Sequence, residues 1–130
     1  MDCNKSAKIS KFFTWKEMIQ SKTAEKEHID NVPKKIIIKL NLIKLADTLD
    51  LVRAHIDAPV IINSGYRNAK TNKKVGGVEN SLHIEGKAAD ISFMRKEDYE
   101  KALIFLKKHK TTLNIDEIVP YNTYIHVGIY

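Results

Sequence analysis

The chain has little cysteine and no long apolar run, and each absence excludes a class of protein. Cys3 is the single cysteine in 130 residues, so the fold cannot depend on an internal disulfide. Nowhere do about 18 apolar residues follow one another, as a transmembrane helix would require. Met1 is not followed by an apolar stretch of the signal-peptide type. We therefore expect synthesis in the cytoplasm, without an export signal of the chain's own.

Internal repeats and low-complexity linkers are also missing. Hydrophobic residues make up 43% of the chain, which is enough for one core in a protein of this length. We therefore expect a single domain over residues 11–130, preceded by a polar tail over residues 1–10. We also expect the protein to be a monomer.

The chain is basic, with a formal net charge of +6. This charge favours an anionic partner, which can be nucleic acid, anionic lipid or an acidic cell-wall polymer. Most lysines are scattered over helical segments, a pattern typical of a solvated surface. Basic residues are not interleaved with aromatic ones in the way of a single-strand binding track. We therefore expect no nucleic-acid partner, and a basic nucleic-acid-binding domain remains an alternative that rests on charge alone.

The first half of the chain is predicted to be mainly helical. Thr14 and Glu17 have the spacing of a capping box at the start of a short helix. A long helix is predicted from Pro33 to His55, because apolar residues recur along one face at intervals of three and four. The residues of this face are Ile38, Leu42, Leu45, Leu49 and Val52.

The second half alternates strands with one helix. Predicted strands cover Pro59–Asn63, Ala88–Phe93, Ile115–Val119 and Tyr124–Ile129, and a helix covers Lys96–Lys108. Ser64 begins a polar loop that ends at Gly76 and Gly77. Asn122 and Thr123 form the hairpin turn between the last two strands.

Two imidazoles and one carboxylate in these segments form a potential metal site. Asp90 is predicted to lie on the strand face opposite Ala89 and Ile91, and His126 on the face opposite Ile125. His83 precedes Gly86, which permits a tight turn that brings the imidazole back over Asp90. Such a ligand set holds a tetrahedral zinc with one position open for water. The pattern therefore predicts a hydrolytic zinc site.

The other polar candidates are less specific. His28 and His55 lie in charged helical stretches and His109 in a basic one, so we interpret all three as surface or capping residues. Arg67 follows the strand that leads to the metal motif. Its guanidinium can hold a substrate carboxylate or stabilise an oxyanion, or it can pair with a structural carboxylate.

These residues together resemble the M15 peptidases, the superfamily of zinc D-Ala-D-Ala carboxypeptidases and L-Ala-D-Glu endopeptidases, and in particular its small single-domain members. The resemblance covers nearly the whole chain, and its most specific part is the Ser-x-His-x-x-Gly-x-Ala-x-Asp string. The matching segments are Phe13–Thr23 as a helix, Asn31–Pro33, Ser64–Arg67, Asn72–Gly77, Ser81–Asp90 and Tyr124–Val127.

The resemblance implies a fold, a set of residue roles and a substrate. The fold is α+β, an antiparallel sheet with helices packed on one side and zinc on the open face, of the D-Ala-D-Ala carboxypeptidase/hedgehog type. His83, Asp90 and His126 would bind zinc. Arg67 would bind the substrate and stabilise the transition state. Ser81 would support the metal loop by hydrogen bonding and bind the substrate. The implied substrate is a peptide bond in the stem peptide of peptidoglycan, an acidic material that suits a basic protein.

The chain departs from the family pattern at Thr123. Many members carry a glutamate or aspartate three residues before the last zinc histidine, and threonine cannot act as a base at neutral pH. Glu117, Asp116 and Glu85 are the acidic residues near the predicted site. We predict Glu117 as the catalytic acid/base, against the alternative that it is a solvent-facing strand residue.

The leading hypothesis is therefore a zinc peptidase acting on peptidoglycan, for example a phage or prophage lysin that reaches the cell wall after release. The alternative is a catalytically weak, zinc-containing cell-wall-binding module that has kept the ligands and lost the acid at Thr123. The sequence does not distinguish a carboxypeptidase from an endopeptidase.

Overall fold

A computed structural model describes residues 4–130, and within them it contains five α-helices, one short 3₁₀ helix and four strands. The α-helices are α1 (Trp15–Ile19), α2 (Lys22–Lys26), α3 (Ile36–Ile56), α4 (Ala69–Lys74) and α5 (Lys96–Lys108). The strands are β1 (Val60–Ser64), β2 (Ala88–Phe93), β3 (Ile115–Pro120) and β4 (Tyr124–Ile129), and the 3₁₀ helix is Leu82–Glu85. The mixed α and β composition is as predicted.

The four strands form one antiparallel sheet in the order β1-β2-β4-β3. The two inner strands, β2 and β4, are in direct register, with Asp90 opposite His126 and Ile91 opposite Ile125. Successive side chains of a strand point to opposite faces. The apolar pair therefore faces the core, and the polar pair shares the other face of the sheet, as the alternation predicted.

Helices α3 and α5 pack against each other and contact the sheet. On α3 the predicted apolar face is confirmed for Leu42, Leu45, Leu49 and Val52, which are fully buried, while Ile38 is half-buried. On α5 the buried residues are Asp98, Ala102 and Leu106. The sheet contributes Ile91, Ile125 and Val127 to the same core. Burial of this apolar surface is the main source of the fold's stability.

Two short helices stand where one helix over Phe13–Thr23 was expected. The predicted capping box is present: the backbone N–H of Glu17 donates to Thr14 Oγ1 (3.2 Å), and the backbone N–H of Thr14 donates to Glu17 Oε1 (3.1 Å). The break between α1 and α2 falls at Ser21, whose hydroxyl accepts a hydrogen bond from the Ala24 N–H. Serine favours such a capping position because its side chain replaces a missing backbone acceptor.

The segment before α1 lies against the domain. Ile9 belongs to the hydrophobic core, Lys8 forms a β-bridge with Thr14, and the Ser10 hydroxyl donates to Asp50 (2.9 Å). Residues 1–3, which include Cys3, lie outside the described part of the chain. The division between a polar tail and a domain after residue 10 stays a prediction.

The polar loop expected between Ser64 and Gly77 was wrong in part, because it contains α4. The helix begins after Asn68, whose side chain accepts a hydrogen bond from the Thr71 N–H (2.8 Å). Its sequence is almost entirely polar, so no apolar periodicity marks it. Helix α3 also begins at Ile36 rather than at Pro33.

The remaining histidines, His28, His55 and His109, lie on or next to helices. The ring of His55 stacks on Phe105 with 4.4 Å between centroids, and the ring of His109 lies 4.8 Å from the same phenyl ring. His109 is also the C-cap of α5, and His28 is exposed. Within residues 4–130, no helix is both long enough and apolar enough to span a membrane.

Candidate metal centre

Asp90 and His126 lie side by side on the polar face of the sheet. Asp90 is in the middle of β2, His126 is its direct partner on β4, and the His126 Nδ1 is 2.9 Å from Asp90 Oδ1. Because both strands are inner strands, hydrogen bonds on both sides fix the two backbones. The sheet thus supplies two adjacent potential ligands on a rigid support.

His83 approaches this pair from the 3₁₀ helix. Ser81 caps that helix by accepting a hydrogen bond from the His83 N–H (3.1 Å), and Gly86 ends it with a φ of 73°. A Cβ at Gly86 would lie 2.9 Å from the Ile38 carbonyl oxygen, so the turn packs tightly against α3. The result places His83 Nε2 at 3.3 Å from Asp90 Oδ1, with the His83 side chain only 2% exposed.

The three side chains converge on a small volume. Each offers one ligand atom, and these atoms lie within 4.8 Å of one another. Two ligands of a tetrahedral zinc with bonds of about 2.0–2.1 Å are separated by about 3.3 Å. The distance from His83 Nε2 to Asp90 Oδ1 agrees with that separation, and two imidazoles with one carboxylate are a donor set typical of catalytic zinc. The site therefore fits a zinc ion.

The Asp90 carboxylate lies between two imidazoles, and this arrangement shifts the pKa values of Asp90 and His126. Burial acts to raise the pKa of Asp90, but hydrogen bonds from His126 and His83, with the charges of their rings, hold it well below its usual range. The hydrogen bond to Asp90 raises the pKa of His126, against the effect of burial and with help from Glu117. Asp90 is thus ionised at neutral pH, as a metal ligand must be.

Glu117 reaches the site through an irregularity in β3. Ile115 pairs with Ile129 and faces the core, and a bulge before Glu117 shifts the register so that Glu117 pairs with Gly128 on the polar face. Its Oε1 accepts a hydrogen bond from His126 Nε2 (2.9 Å). Its side chain is 46% exposed.

The other acidic candidates are not part of this arrangement. Neither Asp116 nor Glu85 makes an ion pair or a side-chain hydrogen bond with the three potential ligands in residues 4–130. Of the three acidic candidates, Glu117 is therefore the one that the fold brings next to the potential metal ligands.

Arg67 lies beside the site and is half-buried. Its backbone N–H donates to the His83 carbonyl (3.1 Å), which ties its position to that of the metal loop. Burial lowers the pKa of Arg67, while the charge of Asp90 opposes that shift, so the guanidinium stays protonated at neutral pH. The Arg67 Nε is buried and has no hydrogen-bond partner in residues 4–130. A buried unpaired donor is costly, so a hydrogen-bond partner for Nε would stabilise this position of the guanidinium.

Asn31 was missed by the sequence reasoning, although it holds the segment that carries Arg67. Its Nδ2 donates to the carbonyl oxygens of Ile19 (2.8 Å) and Tyr66 (2.9 Å), and its Oδ1 accepts from the Asn68 N–H (2.8 Å). The asparagine is 8% exposed. It thus fixes the residues on both sides of Arg67, and the one signal for it was its place next to Val32 and Pro33 in a family-like string.

Ser81 has a supporting place in the structure. It is buried, and its hydroxyl is engaged with the backbone of His83. The role of Ser81 in supporting the metal loop stays a prediction. The contact with substrate expected for Ser81 stays a prediction.

Comparison with known sequences agrees with this geometry. The sequence model of the peptidase M15 family matches residues 11–128, which is most of the chain. The chain therefore belongs to the peptidase M15 family. It is also similar to a zinc D-Ala-D-Ala carboxypeptidase from Streptomyces albus G, with 46% identity over 35 residues. That match covers 27% of this chain and only 14% of the relative's length, so it compares a segment and not two whole proteins.

Proposed function

We propose that the protein is a zinc peptidase that hydrolyses a peptide bond in the stem peptides of peptidoglycan. The observation that carries the proposal is the convergence of His83, Asp90 and His126 within 4.8 Å, beside the half-buried guanidinium of Arg67. Membership of the peptidase M15 family and the similarity to a zinc D-Ala-D-Ala carboxypeptidase support it. A net charge of +6 suits an acidic wall polymer.

In this proposal His83, Asp90 and His126 would hold the zinc, which would supply Lewis-acid activation of a water molecule and of the scissile carbonyl. His83 donates its Nδ1–H to the Gly65 carbonyl and so turns the lone pair of Nε2 towards Asp90 Oδ1, where the ion would be held. His126 donates its Nε2–H to Glu117 and turns the lone pair of Nδ1 the same way. Asp90 contributes a negative charge that reduces the net charge of the centre.

Arg67 and Glu117 complete the proposed machinery. Arg67 binds the substrate and, with its half-buried, protonated guanidinium, stabilises the negative charge that develops on the carbonyl oxygen. Glu117 is the residue that takes the proton from the attacking water and gives it to the leaving amine. The 46% exposure of its side chain on the polar face, which gives the carboxylate access to water, supports this role. Ser81 supports the loop that carries His83.

The proposal also covers the fold type and the biological setting. We propose a fold of the D-Ala-D-Ala carboxypeptidase/hedgehog type, supported by the antiparallel sheet with α3 and α5 against it and the site on its polar face. The enzyme acts as a monomeric carboxypeptidase or endopeptidase at the cell wall, as a phage or prophage lysin does after its release.

A second candidate is a zinc-containing cell-wall-binding module with little catalytic activity. Two observations favour it. Thr123 occupies the position where many relatives carry the acid, and the carboxylate of Glu117 is already engaged with His126 Nε2. A carboxylate bonded to a metal-binding histidine often orients that ligand and takes no part in proton transfer.

Mass spectrometry of wall material separates the two candidates. Purified muropeptides and intact peptidoglycan of several chemotypes are incubated with the zinc-loaded protein, with chelator-treated protein and with a His126→Ala variant as controls. A product that needs both zinc and His126 is expected, and its mass identifies the bond. If no product forms and the protein sediments with peptidoglycan only when zinc is present, the peptidase proposal is rejected in favour of the binding module.

A further inference from the structure

A groove lies alongside β1, and the residues that line it include Arg67, which lies beside the metal centre. One wall is formed by the α1–α2 segment, with Lys16 and Lys22, and the other by the β1 residues Ile61 and Asn63. Arg67 also lines this β1 groove, whose volume is about 800 Å³. Pockets that bind small ligands and short peptides in proteins have volumes of about 300–1,000 Å³. The β1 groove is therefore large enough for several residues of a peptide.

The wall formed by β1 offers backbone hydrogen-bonding groups. Strand β1 is at one end of the sheet order, so β2 pairs with one of its edges and no strand of residues 4–130 pairs with the other. Within the same residues, the backbone of Val60–Ser64 makes no hydrogen bond to another loop or helix. Unpaired edge groups of this kind bind the amides of an extended peptide. The exposed side chains of Ile61 and Asn63 flank them.

The opposite wall is positively charged. Lys16 and Lys22 are exposed, and neither forms an ion pair with any residue between 4 and 130. With Arg67 they give three positive charges against one negative charge, that of Glu25, among the residues that line the groove. Two flexible ammonium groups opposite a strand edge are complementary to an extended chain that carries carboxylates.

We propose that the β1 groove binds the acidic part of a peptide substrate, with Lys16 and Lys22 contacting its carboxylates and the edge of β1 contacting its amides. The groove leads the peptide to Arg67 and so to the metal centre. This inference rests on the proposed peptidase function, because it names the surface that holds the substrate beside the scissile bond. It assigns substrate selection to charges that lie outside the catalytic machinery.

The test uses charge reversal in the groove and a matched reversal elsewhere. The variants are Lys16→Glu, Lys22→Glu and their combination, with Lys101→Glu on α5 as the control, an exposed helical lysine that does not line the groove. The probes are a synthetic stem peptide with free carboxylates and the same peptide with its carboxylates amidated. Binding to zinc-loaded protein is followed by the backbone amide NMR signals of Ile61 and Asn63, and turnover by mass spectrometry.

For the acidic peptide, the double variant is expected to bind about tenfold more weakly than the unmodified protein, since each exposed contact contributes modestly. KM should rise with kcat unchanged, the amidated peptide should show no such difference, and Lys101→Glu should bind normally. Higher salt should weaken binding of the acidic peptide.

Binding and turnover together separate failure of this inference from failure of the proposed function. If the peptide changes the NMR signals of β1 in a way that depends on Lys16 and Lys22 but is not cleaved, the groove proposal stands and the peptidase proposal is rejected. If charge reversal at Lys16 and Lys22 does not change turnover, or if the peptide binds without changing the β1 signals, the groove proposal is rejected. Absence of binding of the acidic peptide would reject it as well.

Discussion

The Nδ1 of His83 lies 2.7 Å from the carbonyl oxygen of Gly65. A carbonyl oxygen only accepts hydrogen bonds, so this ring nitrogen carries a proton. Gly65 cannot be replaced by a residue with a side chain without disturbing this contact, because a Cβ there would collide with the Met18 carbonyl oxygen. The loop therefore fixes both the orientation of the imidazole and the nitrogen that is available to a metal.

Replacing His83 by alanine is expected to abolish zinc binding at this site. The variant loses one of three protein ligands, and the remaining two cannot hold zinc tightly in a site that stays open to water. Elemental analysis after dialysis measures the zinc content, with His28→Ala as a control for the loss of an exposed histidine. Full zinc occupancy in His83→Ala would refute the assignment of this ligand.

Glutamine and alanine at position 117 distinguish a proton-transfer role from an orienting role. If Glu117 transfers protons, both Glu117→Gln and Glu117→Ala should lower kcat by about a hundredfold or more with zinc content unchanged. Glutamine can still accept the hydrogen bond from His126 Nε2, so an orienting role predicts near-normal kcat for glutamine and weaker zinc binding for alanine. We expect the first result. Asp116→Asn on the same strand is the matched control.

Arg67→Ala is expected to lower kcat by about a hundredfold to a thousandfold, the effect of removing one donor to a developing oxyanion. Zinc content should not change, since Arg67 is not a ligand. Arg67→Lys keeps the charge but lacks the Nε donor, so it should restore only part of the activity. Activity of Arg67→Lys equal to that of the unmodified protein would show that charge alone suffices.

Asn31→Ala is expected to destabilise the protein by about 2–4 kcal/mol, because three buried hydrogen bonds are lost and their backbone partners remain. Chemical denaturation measures this free energy of unfolding. The variant should also lower kcat at temperatures where it is fully folded, since both neighbours of Arg67 lose their support. A stability change without any change in kcat would limit Asn31 to a structural role.

The stability of the zinc-free protein should depend on the protonation of His126. The pKa of His126 is raised above its ordinary value of 6.5, so the protonated ring stabilises the folded state. This contribution is fully present below pH 6.5 and is lost as pH rises through the folded-state pKa. Thermal unfolding in the presence of a chelator, from acidic to mildly alkaline pH, measures it. His126→Gln should lack this pH dependence, and identical profiles for the two proteins would contradict the assignment.

The elements that the sequence predicted best are those with one mainly apolar face and one mainly polar face. Strand β2 has the predicted bounds Ala88–Phe93, and helix α5 the predicted bounds Lys96–Lys108. In both, one face is apolar and the other polar, so a shift in register would bury charged groups. The placement of Asp90 and His126 on one face follows directly from that alternation.

The parts that could not be predicted depend on local irregularities and on single hydrogen bonds. A regular β3 would place Glu117 on the same face as Ile115, in the core, and only the bulge brings it to His126. A similar shift in β1, between Ile62 and Ser64, turns Ser64 towards the face of Asp90. The hydrogen bonds of Asn31 join residues far apart in sequence, and a periodic sequence pattern does not predict such contacts.

The position of Asp90 and His126 on inner strands bears on how the site would exchange its metal. Edge strands separate most easily from a sheet, but β2 and β4 are each bonded on two sides. A zinc ion could then leave through rotation of side chains while the sheet stays intact. Chelation and reloading should therefore be reversible without refolding, so that the same preparation can be cycled between metal-free and metal-loaded forms.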